Sequence, residues 1–131
     1  MQNQKLSGLN FNIIAAIFVG GGLGSALRYL ISWLVNGLKI NFTPLGTLSA
    51  NIISCIIMAI TLMVLSSRGD QSDWMRAFVL VGFCGGLSTF STFSFETFTL
   101  LKSGQTGMAI LNIAISVLMC LAIFYFFVKR V

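Results

Sequence analysis

A stretch from residue 82 to residue 93 carries three glycines, then four hydroxyl residues and two phenylalanines three apart, inside an otherwise apolar run. The glycines predict a helix interrupted near residues 85–89. Backbone groups released by such an interruption find no partner in lipid, so they persist only where they are buried in protein or line a wet or ion-binding site. This segment is therefore where a functional site is expected.

The phenylalanines and hydroxyls of this segment are suited to an anion. Phe90 and Phe93 share one helix face, and an aromatic ring has a positive edge. Ser91 and Thr92 add hydroxyl donors, and Asn51 adds an amide donor within another apolar run, although an amide there could also be a helix–helix contact. Such donors, without a fixed charge, suit a small, hard anion that must bind and then leave.

The backbone of the same segment is suited to a cation. Carbonyls released between Gly85 and Ser88 would lack an intrahelical partner, and carbonyl oxygens suit hard cations. Two interruptions facing each other would form an oxygen cage for an ion such as Na⁺, in the way that half-helices bind ions in transporters.

Other polar residues within apolar runs each have a structural and a functional interpretation. Arg28 could extend to the membrane interface, attract an anion into a vestibule or anchor the third helix. Asn112 and Ser116 share one face, continued by Cys120, and form either a helix–helix contact or a polar track. Glu96 could couple transport to protons or only accept a hydrogen bond.

Small residues at positions 20–26 predict that the first helix packs closely against another backbone, within the chain or across a subunit interface. The three cysteines lie in apolar runs without CxxC spacing, so they are interpreted as small hydrophobic residues.

Composition indicates an integral membrane protein. Of 131 residues, 56% are hydrophobic and 8% are charged. Histidine is absent and only three acids are present, so an enzyme is not expected. The net charge of +5 is scattered, which argues against nucleic-acid binding. The first apolar run is too long for a cleaved signal peptide.

Four runs are long enough to span a membrane. They predict an all-α fold, with residues 1–131 forming one four-helix domain and spans at about 11–35, 45–65, 74–101 and 108–128. The side with both termini would carry five basic residues: Lys5, Arg68, Arg76, Lys129 and Arg130. The other would carry Lys39, Lys102 and Arg28. This weak bias permits insertion in both orientations.

Taken together, these motifs resemble the Fluc-type fluoride channels of microbes. The resemblance covers all four spans and rests on GGGLGSALRY at 20–29, GTLSAN at 46–51 and GFCGGLSTFSTFSFE at 82–96. It implies an antiparallel homodimer in the cell membrane of a bacterium or other microbe, with two fluoride pathways and a central Na⁺.

The resemblance also assigns roles to residues. It implies that backbone carbonyls of Gly85 and Ser88 hold the Na⁺. Phe90 and Phe93 correspond to the family's phenylalanine box, with Ser91 and Thr92 as part of a polar track. Asn51 corresponds to the pore amide and Arg28 to the first-helix arginine. Ser116 matches the family's fourth-helix serine. Asn112 departs from the pattern, because many members carry tyrosine there.

The resemblance implies passive, selective export of fluoride. Two alternatives remain at this stage. A small four-helix proton-coupled exporter of organic cations would need a central membrane acid, and Glu96 is the single candidate. A non-transporting membrane scaffold would use the polar residues only for packing.

Overall fold

The computed structural model describes residues 10–38, 44–68 and 72–128, without the side chain of Arg68. All regular structure within these ranges is helical. Four helices are long and apolar enough to span a membrane: Phe11–Gly37, Leu45–Ser67, Asp73–Lys102 and Thr106–Val128. The predicted all-α architecture with four spans is therefore confirmed. Of the basic residues used to predict orientation, four lie outside the described ranges: Lys5, Lys39, Lys129 and Arg130.

The first, second and fourth spans are continuous helices, α1 (Phe11–Gly37), α2 (Leu45–Arg68) and α5 (Thr106–Val128). The third span consists of two helices in line, α3 (residues 73–87) and α4 (Phe90–Lys102). Helix α3 begins after Ser72, whose hydroxyl accepts the Met75 N–H at 3.3 Å, and it contains a π-helical segment, Arg76–Cys84.

The interruption of the third span is short. Ser88 (φ −79°, ψ 150°) and Thr89 (φ −148°, ψ 120°) have extended backbone, and helical geometry resumes at Phe90. Gly85 and Gly86 remain helical. The interruption thus falls within the predicted 85–89 region, but on the two hydroxyl residues that follow the glycines.

Glycines bring the backbones of α1 and α3 into direct contact. A methyl group at Gly24 would overlap the Phe83 carbonyl oxygen and lie 2.8 Å from the Leu87 nitrogen, and one at Gly82 would lie 2.8 Å from the Ile17 carbonyl oxygen. Gly20 and Gly86 are equally enclosed by backbone of the facing helix. Each helix thus contributes two glycines four residues apart, the small-xxx-small arrangement of close membrane helix pairs. The predicted close contact lies within the chain.

The other helices complete a bundle around α2. Helix α2 packs against both α1 and α5, and α4 packs against α5. At the start of α2, Gly46 lies against Ser32 of α1. Outward faces carry large apolar side chains such as Phe18 (82% exposed) and Leu118 (65% exposed), as expected for surfaces in contact with lipid. This arrangement leaves α2, α4 and α5 around one cavity.

We expect Gly24→Ala to destabilise the protein and Gly22→Ala to leave its stability nearly unchanged. The methyl group at position 24 would meet rigid backbone, so α1 and α3 must separate, and overpacking of this kind costs about 1–3 kcal/mol. A methyl group at Gly22 meets nothing within 4 Å. Thermal unfolding in detergent, followed by tryptophan fluorescence, measures both variants. Equal losses of stability would contradict the close α1–α3 contact.

Candidate functional site

A side chain of α2 holds the interruption between α3 and α4. The Thr89 N–H donates to Asn51 Oδ1 at 3.0 Å, in place of the carbonyl of Gly85 four residues earlier. The Asn51 amide nitrogen has no hydrogen-bond partner among the described residues. Asn51 therefore satisfies a backbone donor with its oxygen and leaves its N–H₂ group available.

This bond leaves two backbone carbonyls without partners. The Ser88 N–H donates to the Cys84 carbonyl at 2.9 Å, and no described group donates to the carbonyl of Gly85 or of Ser88. Gly85 is exposed, and a Cβ there would meet nothing within 4 Å. The chemistry of these two oxygens thus fits that of hard-cation ligands. The surface at Gly85 is open in the single chain.

Thr89 also begins helix α4. Its hydroxyl accepts the Thr92 N–H at 3.4 Å, as an N-cap residue does. The same hydroxyl lies 3.3 Å from the hydroxyls of Ser91 and Thr92. Ser91 and Thr92 are exposed and do not line the cavity described next, so the structure places them beside the helix start.

One cavity of about 360 Å³ brings together five of the predicted residues. It is lined by Asn51 and Cys55 of α2, Ser88, Thr89, Phe90 and Phe93 of the third span, and Ser116, Val117, Cys120 and Leu121 of α5. The rings of Phe90 and Phe93 have centroids 6.0 Å apart and planes tilted by 40°. Phe90 is 80% exposed. The cavity therefore combines two aromatic rings with an amide and hydroxyl side chains.

The two polar residues of α5 occupy different environments. Ser116 lines the cavity, and its buried Oγ has no hydrogen-bond partner. Asn112 is 1% exposed and donates from Nδ2 to Thr97 Oγ1 at 3.0 Å. Thr97 in turn donates to the Phe93 carbonyl at 2.8 Å. Asn112 thus supports α4 behind Phe93, while Ser116 borders the cavity and carries a buried hydroxyl without a partner.

Arg28 lies about two thirds of the way along α1 and is half-buried. Its guanidinium makes no hydrogen bond or ion pair with the described residues, and it does not line the cavity. The structure therefore shows no bond that would anchor the third span through Arg28, and its charge is free to act on ions nearby.

Glu96 belongs to a different part of the bundle. Thr47 of α2 donates its hydroxyl hydrogen to Glu96 Oε1 at 2.7 Å, and the buried Oε2 has no partner. Glu96 lines a smaller cavity of about 160 Å³ with Pro44, Phe95, Thr99 and Leu100. The carboxyl group is therefore separate from the phenylalanine-lined cavity.

Sequence reasoning gave no role to Thr97 and Cys55, counted Thr89 only among the hydroxyls of its segment, and placed Cys120 only as a continuation of the Asn112 and Ser116 face. Thr89 and Thr97 act through bonds to Asn51 and Asn112, which are 38 and 15 residues away. For the cysteines a signal existed. Cys55 follows Asn51 by four residues and Cys120 follows Ser116 by four, so each shares a face with a polar residue.

Comparison with known proteins identifies the family of this chain. Residues 15–127 match the family described as "CrcB-like protein, Camphor Resistance (CrcB)". The "Fluoride-specific ion channel FluC" of Pyrococcus horikoshii is 44% identical over 110 residues, covering 84% of this chain and 88% of the relative. The protein of the same name from Escherichia coli K12 is 42% identical over 106 residues, covering 81% and 83%.

The protein of that name from Pyrococcus abyssi is 40% identical over 117 residues, covering 89% of this chain and 94% of the relative. The resemblance stated from the sequence is confirmed, and so is the expectation that the chain is not an enzyme. The chain is a multi-pass membrane protein, and with a match that extends from residue 15 to residue 127 it belongs to the CrcB family.

Proposed function

We propose that this protein is a fluoride-selective ion channel that passively exports fluoride from the cytoplasm. The observation that carries the proposal is the cavity in which the Phe90 and Phe93 rings lie with the free amide hydrogens of Asn51 and the free hydroxyl of Ser116. The relatives named as fluoride-specific channels support the choice of anion.

The chemistry of the cavity suits a small anion in transit. Its wall is mostly apolar, so an anion that enters loses water and must be compensated by donors. Asn51 N–H₂, the Ser116 hydroxyl and the positive ring edges supply this compensation without a fixed positive charge, which would retain the ion. Arg28, free of partners, raises the local concentration of anions outside the narrow part.

Direction follows from the membrane potential. Fluoride enters a cell as neutral HF and becomes the trapped anion in a less acidic cytoplasm. A potential that is negative inside then drives the anion outward, by about 2.3 kcal/mol per elementary charge at 100 mV. Export therefore needs an open and selective path, and no proton-coupling step.

We further propose an antiparallel homodimer with a structural Na⁺ at its centre. The Gly85 and Ser88 carbonyls lack partners among the described residues, and no described atom lies within 4 Å of a Cβ placed at Gly85. One chain supplies two such oxygens, and a second chain facing it would complete an oxygen cage suited to a hard cation. The ion would hold the interrupted segments of the two chains against each other, and the anion path would be lined by side chains.

The two alternatives have less support. A cation exporter needs its acid in the transport cavity. Glu96 instead accepts a hydrogen bond from the Thr47 hydroxyl and lines a separate cavity. A scaffold would satisfy its polar residues by packing, whereas Ser116 Oγ is buried without a partner. Loss of proton-dependent cation export in Glu96→Gln would favour the exporter.

Fluoride efflux from proteoliposomes tests the proposal directly. The protein should release fluoride and not chloride, and Phe90→Ile or Phe93→Ile should reduce fluoride efflux strongly, because isoleucine keeps bulk but has no ring edge. A purified, folded protein without fluoride flux would overturn the proposal. So would phenylalanine variants that conduct at the original rate.

Ser116→Ala should slow fluoride efflux by about tenfold to a hundredfold. A hydrogen bond to a charged group is worth about 1.5–3 kcal/mol, and about 1.4 kcal/mol corresponds to a factor of ten. Thr61→Val is the matched control, because the Thr61 hydroxyl is bonded within α2 to the Ile57 carbonyl at 2.8 Å. A Ser116→Ala variant as fast as this control would exclude the hydroxyl from the anion path.

Gly85→Leu should prevent dimer formation without unfolding the chain. A Cβ at Gly85 meets no described atom of its own chain within 4 Å, and a leucine there would stand at the proposed interface. Gly107→Leu, at another open and exposed glycine, is the control. Light scattering of detergent-solubilised protein gives the mass, and a monomeric unmodified protein would contradict the dimer.

A cysteine introduced at a terminus should be labelled from both membrane sides if the orientation is dual.

A further inference from the structure

Two thiols from different helices lie in the wall of the phenylalanine-lined cavity. Cys55 of α2 and Cys120 of α5 both line it, together with Asn51, Phe93 and Ser116. The helices that carry them, α2 and α5, pack directly against each other. Both are free, half-buried cysteines, so this pair is accessible from the cavity and is not joined as a disulfide.

The position of the pair follows from helix geometry. Cys55 is one turn beyond Asn51 in α2, and Cys120 is one turn beyond Ser116 in α5. As the second and fourth spans, α2 and α5 cross the membrane in the same direction. The two thiols therefore form the next layer of the cavity beyond the amide and the hydroxyl, toward the C-terminal ends of α2 and α5.

The chemistry of this layer differs from that of the carbonyl oxygens at the interruption. Hard cations such as Na⁺ take oxygen ligands, whereas thiolates select soft cations such as Cu⁺. No group of three or more possible metal ligands occurs among the described residues. The pair is thus limited to a cation that accepts two sulfur ligands, as Cu⁺ and Ag⁺ do.

We propose that Cys55 and Cys120 form a binding site for soft monovalent cations and that an occupied site blocks the anion path. On binding, each thiol releases its proton to water and each sulfur forms a bond to the metal, giving S–M–S with a net charge of −1. This group would obstruct the cavity and repel an entering anion. The blocking effect rests on the proposed channel function, whereas the binding does not.

Cys84 provides an internal control. It lies in α3, is 0% exposed and does not line the cavity. Substitution of Cys84 therefore removes a thiol from the protein without changing the proposed pair. An effect of silver that arises at Cys84 would therefore appear as a difference between the original protein and Cys84→Ala.

The test uses Ag⁺ as the probe, in chloride-free fluoride and nitrate buffers because silver chloride precipitates. Binding is measured on the detergent-solubilised protein by native mass spectrometry. We expect one silver ion per chain in the original protein and in Cys84→Ala, and loss of that ion in Cys55→Ala and in Cys120→Ala. Unchanged silver binding in either of the last two variants would overturn the site.

Blocking is measured as fluoride efflux from proteoliposomes, with each variant normalised to its own rate without silver. Ag⁺ should stop efflux through the original protein and through Cys84→Ala, and excess dithiothreitol should restore it. Cys55→Ala and Cys120→Ala should be insensitive. Silver bound at the pair without slowing efflux would overturn the block. If no fluoride flux occurs even without silver, the channel proposal fails, while the binding measurement still decides whether the thiol site exists.

Discussion

The hydrogen bond from the Thr89 N–H to Asn51 Oδ1 is the interaction on which the site depends. Asn51 Oδ1 accepts the hydrogen of a backbone N–H that would otherwise donate to the Gly85 carbonyl and continue the helix. By doing so it keeps Ser88 and Thr89 extended, releases two carbonyls and lets α4 begin with Thr89 as its N-cap. Phe90 and Phe93, one to four residues later, take their positions from this start. A single amide thus separates two unpartnered backbone carbonyls from a cavity wall that carries side-chain donors.

The glycine contact between α1 and α3 makes this interaction possible. Because Gly20 and Gly24 face Gly82 and Gly86 without side chains between them, α3 is held against α1 and its end is fixed beside α2. Ser54 of α2 adds a hydrogen bond to the Cys84 carbonyl at 2.9 Å, one turn before the interruption. The position of Thr89 relative to Asn51 is therefore set by packing along the preceding turns.

Much of this architecture could be predicted from residue types. Long apolar runs specify the four helices, and glycine together with hydroxyl residues locates the interruption to within a few positions. What could not be predicted is which residues leave helical geometry, because that depends on an amide acceptor 38 residues away. Asn112 shows the same limit. Its spacing places it on one face with Ser116, but its N–H₂ group donates a hydrogen bond to Thr97 Oγ1 of another helix. Spacing along one helix does not reveal a competing partner on the next.

The cavity has a consequence for how the chain is made. Its walls come from α2, the third span and α5, and the Ser116 hydroxyl and Cys120 thiol lie on the last of these. During synthesis, the amide–backbone bond becomes possible once the third span has entered the membrane, but one wall is still missing until α5 follows. The α1–α3 packing and the amide–backbone bond therefore need only the first three spans, whereas the cavity is complete only once α5 is in place.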